Sequence, residues 1–135
     1  METTLEVTGT EINQEEQKLD LVARAKEVAA KFLSRRGYEI LDRDWHCRVG
    51  IADLVCMDDD VLVFIKVKAR SDSSKGFPSE ETDNKRRDQF EKIAMSYLAS
   101  HSLSDVSVRF DVVSIVVIGP GRAFLRHRIN AFGAM

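Results

Sequence analysis

The residues of this chain that could do chemistry are an aspartate inside one apolar run and two lysines inside the next. Asp53 interrupts Ile51-Ala52-Asp53-Leu54-Val55, and Lys66 and Lys68 interrupt the run from Val61 to Ala69. Aspartate is disfavoured in strands and costly to bury alone. Asp53 therefore calls for a cation opposite it, either a metal ion or a lysine. The acidic turn Asp58-Asp59-Asp60 separates the two runs. If it closes a tight antiparallel hairpin with Asp58 facing Val61, Asp53 lies directly opposite Lys66, and opposed residues share a face. Lys68 lies on that face too, because side chains alternate along a strand. Val61, Val63, Ile65, Val67 and Ala69 then make a second, wholly apolar face. A half-exposed sheet with lysines in water would explain Lys66 and Lys68; it would not explain Asp53.

The elements that must position this hairpin follow from periodicity. Leu19, Val22, Ala23, Ala29, Ala30 and Leu33 form a helical stripe, with Asp20 near its start and Gly37 past its end. Tyr38 to Trp45 reads as a strand, Ile51 to Met57 and Val61 to Ala69 as the strongest strands. Ser71 to Glu81 contains Gly76, Pro78 and four serines and reads as a loop. Asp83 to Ser100 returns to helical period, with Phe90, Ile93, Ala94, Tyr97 and Leu98 on one side. Val106 to Ile118 is a long strand ended by Gly119-Pro120-Gly121, and Ala123 to Phe132 adds an edge strand. The first seventeen or so residues lack apolar periodicity and read as a mobile acidic tail before a single domain spanning 18–135.

A chain of 135 residues with 44% apolar and 31% charged residues fits one soluble domain. No apolar run reaches the ~20 residues that span a bilayer, and the polar, acidic start is not a signal peptide. Cys47 and Cys56 fit neither a disulfide framework nor a zinc pattern, so reduced thiols in a cytoplasm are expected. The net charge of −2 conceals an asymmetry, −5 over residues 1–20 and +3 over the remainder. A low overall charge thus leaves room for local basic patches that attract phosphate. His46, His101 and His127 show no ligand or triad spacing and read as ordinary surface or hydrogen-bonded residues.

Several ordered blocks resemble the uncharacterised bacterial YraN-like family of the restriction-endonuclease-like, or PD-(D/E)xK, nuclease superfamily, which is also similar to Holliday junction resolvases. They are Gly37-Tyr38-Glu39-Ile40-Leu41, Trp45 to Asp53, Phe64 to Arg70, Arg109-Phe110-Asp111-Val112-Val113 and His127 to Phe132. Glu27, Ala30 and Gly76 match as well, so the likeness covers about residues 22–132. It implies an α/β fold with a mixed central sheet flanked by helices. It also implies a nuclease site of a helix glutamate, matched by Glu27, a glycine-glutamate-x-aspartate run, and a glutamate-x-lysine run. This chain reads Gly50-Ile51-Ala52-Asp53 and Lys66-Val67-Lys68 there. Asp53 and Lys68 are kept as catalytic positions, while Ile51 and Lys66 replace the two glutamates. The first helix has Ala23 and Lys26 where the family has small glycines.

In that superfamily paired carboxylates hold Mg²⁺, which stabilises charge on the attacking and leaving oxygens. An ammonium at position 66 repels such a metal and can itself pair with Asp53. The expected function is a nuclease-fold protein that binds nucleic acid, DNA in the first instance, with weak or absent cleavage. One alternative is an active Mg²⁺-dependent endonuclease or resolvase, with Asp53 and Glu27 as metal ligands, or a nearby acid such as Asp44 filling the gap. Another is a non-catalytic protein-interaction module. Lys66, Arg70, Lys85, Arg86 and Arg87 are the expected nucleic-acid contacts. Arg122, Arg126, His127 and Arg128 form a further run able to follow a phosphate backbone. Related resolvases are dimers, which makes a homodimer an expectation by analogy.

Overall fold

The computed structural model describes residues 2–10, 17–71, 76–78 and 84–132. The chain order is β1 (Glu2–Thr10), α1 (Gln17–Arg35), β2 (Glu39–Cys47), β3 (Gly50–Asp58), β4 (Val61–Arg70), α2 (Asn84–Ser100), β5 (Ser107–Gly119) and β6 (Gly121–Arg128). Six strands form one sheet in the order β1-β6-β5-β4-β3-β2. Among the described strands only β4 and β5 pair in parallel, from Val61↔Ser107 to Arg70↔Val116, and α2 lies in the connection between them. This mixed sheet with helices is an α/β fold of the restriction-endonuclease-like kind.

The two faces of β4 explain the layering. Val63, Ile65 and Val67 pack with Ala25, Ala29 and Leu33 of α1 into one core. Leu62 and Phe64 point the other way and pack with Phe90, Ile93, Ala94 and Tyr97 of α2. The same alternation carries Lys66 and Lys68 onto the α2 side, beyond the end of that second core. Helix α1 ends at a glycine because the chain must reverse. Gly37 has φ 92, a region costly for other residues, and the Tyr38 N–H reaches back to the Leu33 carbonyl at 3.0 Å. Tyr38 thereby starts beside the sheet.

The β3–β4 hairpin has the expected register. Its two-residue loop is Asp59-Asp60, Asp59 has φ 54, and the pairs run from Asp58↔Val61 to Leu54↔Ile65. Two expectations fail. Residues 2–10 are not a tail: their backbone pairs antiparallel with β6 from Glu2↔Arg128 to Thr10↔Gly121. Nor is β6 an edge strand, since β1 covers it. The physical reason is that Leu5, Val7 and the threonines suit a strand, and β6 would otherwise present a row of unpaired backbone groups. Residues 11–16 of the expected tail lie outside the described residues, as do 72–75 and 79–81 of the expected loop. Among the described residues no helix is long and apolar enough to cross a membrane.

Candidate functional site: a carboxylate between two ammoniums beside a basic cleft

Asp53 sits where β3 and β4 part company. Their pairing stops at Leu54↔Ile65. One residue further, the Asp53 carboxylate takes the place of a strand carbonyl, and its Oδ2 accepts the Val67 N–H at 2.8 Å. The residue is only 4% exposed, so its remaining charge must be met by cations. Lys66 Nζ stands 3.6 Å from Oδ2 across the hairpin, the facing pair expected from the register. The second cation comes from α1: Lys26 Nζ lies 3.4 Å from Oδ1.

Lys26 is tied down in turn by Asp44 of β2, whose Oδ1 accepts from Nζ at 2.5 Å. Asp44 adopts φ 49, a left-handed conformation in mid-strand that aspartate tolerates better than most residues. Burial alone would disfavour the Lys26 ammonium. The hydrogen bond to Asp44 and the charge of Asp53 outweigh it and raise the Lys26 pKa above its ordinary value. Glu27, one position along, faces elsewhere: Arg43 Nη1 donates to its Oε2 at 2.7 Å. Among the described residues, no group of three or more His, Cys, Asp and Glu is placed to hold a metal ion.

Beside this cluster lies a cavity of about 480 Å³ between the sheet and α2. Lys66 and Lys68 line it from β4, Phe110 and Val112 from β5, Gly50 and Ile51 from β3, and Arg86, Gln89, Phe90 and Ile93 from α2. Gly50 is where helix and sheet come close. A Cβ built there would lie 2.8 Å from Gln89 Nε2, which donates to the Val49 carbonyl at 3.0 Å. The structure brings Lys66 and Arg86, expected as nucleic-acid contacts, together with Lys68, expected as a catalytic position, on the lining of one cavity. Asp53 does not share their exposed face; it is buried beneath Lys66. Arg70 points to the Gly76 carbonyl at 3.4 Å, Arg87 to Glu91 at 3.3 Å, and neither they nor Lys85 line the cavity.

A second buried polar cluster escaped the sequence reading. Asp111 on β5 is fully buried, and it accepts from Arg109 Nε at 2.9 Å, from the Asn130 N–H at 2.9 Å and from His127 Nε2 at 2.9 Å. Burial would raise its pKa, but the hydrogen bonds from His127, Arg109 and Asn130 hold it below the ordinary carboxylate range. Arg109 also reaches Tyr38 Oη at 2.8 Å and Asp58 Oδ2 at 3.2 Å. His127 is fully buried against Phe32 and Tyr38, so it cannot belong to a phosphate-tracking surface run. This cluster ties β5, β6 and the hairpin tip together from inside the fold.

Comparison with known proteins decides the family. Residues 25–115 match the uncharacterised protein family UPF0102. The chain belongs to that family. It is the YraN-like family expected from the sequence. A UPF0102 protein of Syntrophomonas wolfei is 41% identical over 107 residues, covering 79% of this chain and 92% of its own length. One of Geobacter sulfurreducens is 36% identical over 112 residues, covering 83% and 88%. One of Myxococcus xanthus is 38% identical over 109 residues, covering 81% and 86%. The matched UPF0102 region contains Lys26, Asp53, Lys66, Arg86 and Asp111, while His127 and Asn130 of the second cluster lie beyond it.

Proposed function

We propose that this UPF0102 chain is a nuclease-fold protein that binds DNA through the Lys66–Lys68–Arg86 cleft and cuts it feebly or not at all. The observation that carries the reading is the state of Asp53. Its carboxylate is engaged by the Val67 N–H and by two ammoniums, Lys26 and Lys66. Mg²⁺ needs oxygen donors in near-octahedral array, usually one or two carboxylates with waters and phosphate. The residues present do not fit it: the second carboxylate position is Lys66, Ile51 offers no donor, and Glu27 is paired with Arg43. A dication at Asp53 would also face two ammoniums within a few ångströms. Active-enzyme chemistry through Glu27 would require that residue to leave Arg43 and the lysines to be displaced.

Phosphate affinity does not need the metal. The cations lining the cleft are Lys66, Lys68 and Arg86, and no acid stands among its described lining residues. Phosphate oxygens accept from such donors, with arginine supplying a planar fork. The test is a gel-retention series on branched and linear duplexes, with and without Mg²⁺ or Mn²⁺, over a range of salt. Retained, uncut DNA is expected, with affinity falling steeply as salt rises. Robust cutting by the natural chain that disappears in Asp53→Ala would overturn the reading, as would failure to retain any DNA at low salt.

A further inference from the structure

The cleft contains more than cations. Beside Lys66, Lys68, Arg86 and Gln89 its lining is mostly apolar, with Ile51 and Phe110 partly open and Phe90, Ile93 and Val112 buried behind them. Phe110 is locked in place, stacked on Phe132 at 4.8 Å and 19° and packed on Phe90 at 4.9 Å. Ile51 is 46% exposed. It is an apolar side chain at the mouth of a basic cavity, where water gains nothing from it.

We propose that this cavity seats one unpaired nucleotide of a DNA strand, its phosphate on Lys66, Lys68 and Arg86 and its base against Ile51 and the Phe110 floor. The inference rests on the DNA-binding reading above and names the part of the DNA that enters. Three features support it. First, a perfect duplex turns phosphates outward and keeps its base faces stacked inside, so it would meet the cations and leave Ile51 and the half-buried Phe110 uncovered. An extruded or single-stranded nucleotide offers both surfaces at once. Second, about 480 Å³ is too little for a duplex and within the roughly 300–1,000 Å³ of small-ligand sites. Third, the Gln89–Val49 hydrogen bond and the Phe90–Phe110–Phe132 cluster hold both walls, so the seat is preformed and little ordering is needed on binding.

The test uses the full chain and fluorescein-labelled 20-base-pair DNA duplexes, perfect or carrying one extruded thymidine, read by anisotropy at fixed salt. The extruded nucleotide should raise affinity by about tenfold or more, the scale of one base–protein contact. Ile51→Ser, at an exposed position, should remove about threefold or more of that preference, while Lys66→Ala weakens both duplexes alike. Circular dichroism on each variant confirms the fold, and Ile51→Val provides a conservative variant that should keep the preference. Equal binding of the two duplexes, or an Ile51→Ser loss equal on both, overturns the nucleotide seat and leaves DNA binding standing. No binding of either duplex overturns both readings.

Discussion

Two lysines approach Asp53, and the structure says which of them matters for stability. Lys26 Nζ lies 3.4 Å from the carboxylate and Lys66 Nζ 3.6 Å, nearly the same distance. Their surroundings differ: the Lys26 side chain is 22% exposed and that of Lys66 51%. At an effective dielectric of about 20, a unit pair at Lys26's distance attracts by about 5 kcal/mol. In water the same law leaves about 1 kcal/mol for Lys66. Lysine desolvation and side-chain entropy reduce both figures. Against that, removing one partner of a buried pair costs about 3–5 kcal/mol because the other charge is stranded. Asp53 keeps the Val67 N–H in either variant, so Lys26→Met should cost about 2–3 kcal/mol and Lys66→Met about 1 kcal/mol or less. Urea midpoints at pH 7 with unchanged m-values measure both. Salt at about 1 M should erase the Lys66 effect and leave most of the Lys26 effect, since exposed pairs are screened and buried ones are not. A Lys66→Met loss equal to or larger than that of Lys26→Met would refute this division of labour.

Metal binding follows the same lysines: Ile51→Glu with Lys66→Glu should remain a poor Mg²⁺ site by titration calorimetry. Adding Lys26→Gly to that pair should produce measurable binding, because only then is the last ammonium gone from Oδ1. Asp111→Asn should destabilise the fold at neutral pH yet flatten its acid sensitivity. The lowered pKa of Asp111 means that its stabilisation is complete above the unfolded value of 3.8 and is lost as pH falls through the lower folded value; parallel acid-unfolding curves for both proteins would contradict this. Cys56 is fully buried and its thiol is pushed up to about 12 by burial and by the Asp111 charge. Iodoacetamide at pH 8 should therefore modify the half-buried Cys47 and spare Cys56 until the protein is unfolded, as peptide mass mapping would show. Gly50→Ala should displace the Gln89 amide from the Val49 carbonyl, lowering stability by about 1 kcal/mol in urea melts.

The hairpin was legible in the sequence because two local rules agree on it. A two-residue acidic turn fixes register, and alternation fixes the two faces of β4; together they set Lys66 against Asp53, though not the burial of Asp53, which lies beyond the last paired residues Leu54↔Ile65. The strand at residues 2–10 was not legible for the opposite reason. Its acids and threonines resemble a solvated tail, and what orders them is the bare edge of β6, a partner more than a hundred residues away. Asp111 shows the same limit. A lone acid in Phe110 to Ile118 signals a buried partner as clearly as Asp53 does, but its partners come from β6, from the segment after it, and from Arg109 two positions back. No spacing rule predicts that convergence.

Lys26 is the instructive case, because its residue type was visible and its role was not. On the helix it reads as one more charge on a mixed face. Only the packing of α1 on β3 and β4 brings its ammonium to Asp53, while Asp44 in its left-handed kink draws it down from β2. Position 66 alone would then be a misleading guide to the site. A carboxylate restored there would still meet Lys26, and the Asp53 oxygen that a metal would seek would still be occupied. The two lysines, one from a helix and one from a strand, bring fixed positive charge to the Asp53 carboxylate. The buried aspartate is neutralised in this way, with Asp44 sharing the Lys26 ammonium. Without Asp53 the Val67 N–H would lose its acceptor and the partly buried Lys26 ammonium would keep only Asp44, and leaving buried donors short of partners is costly.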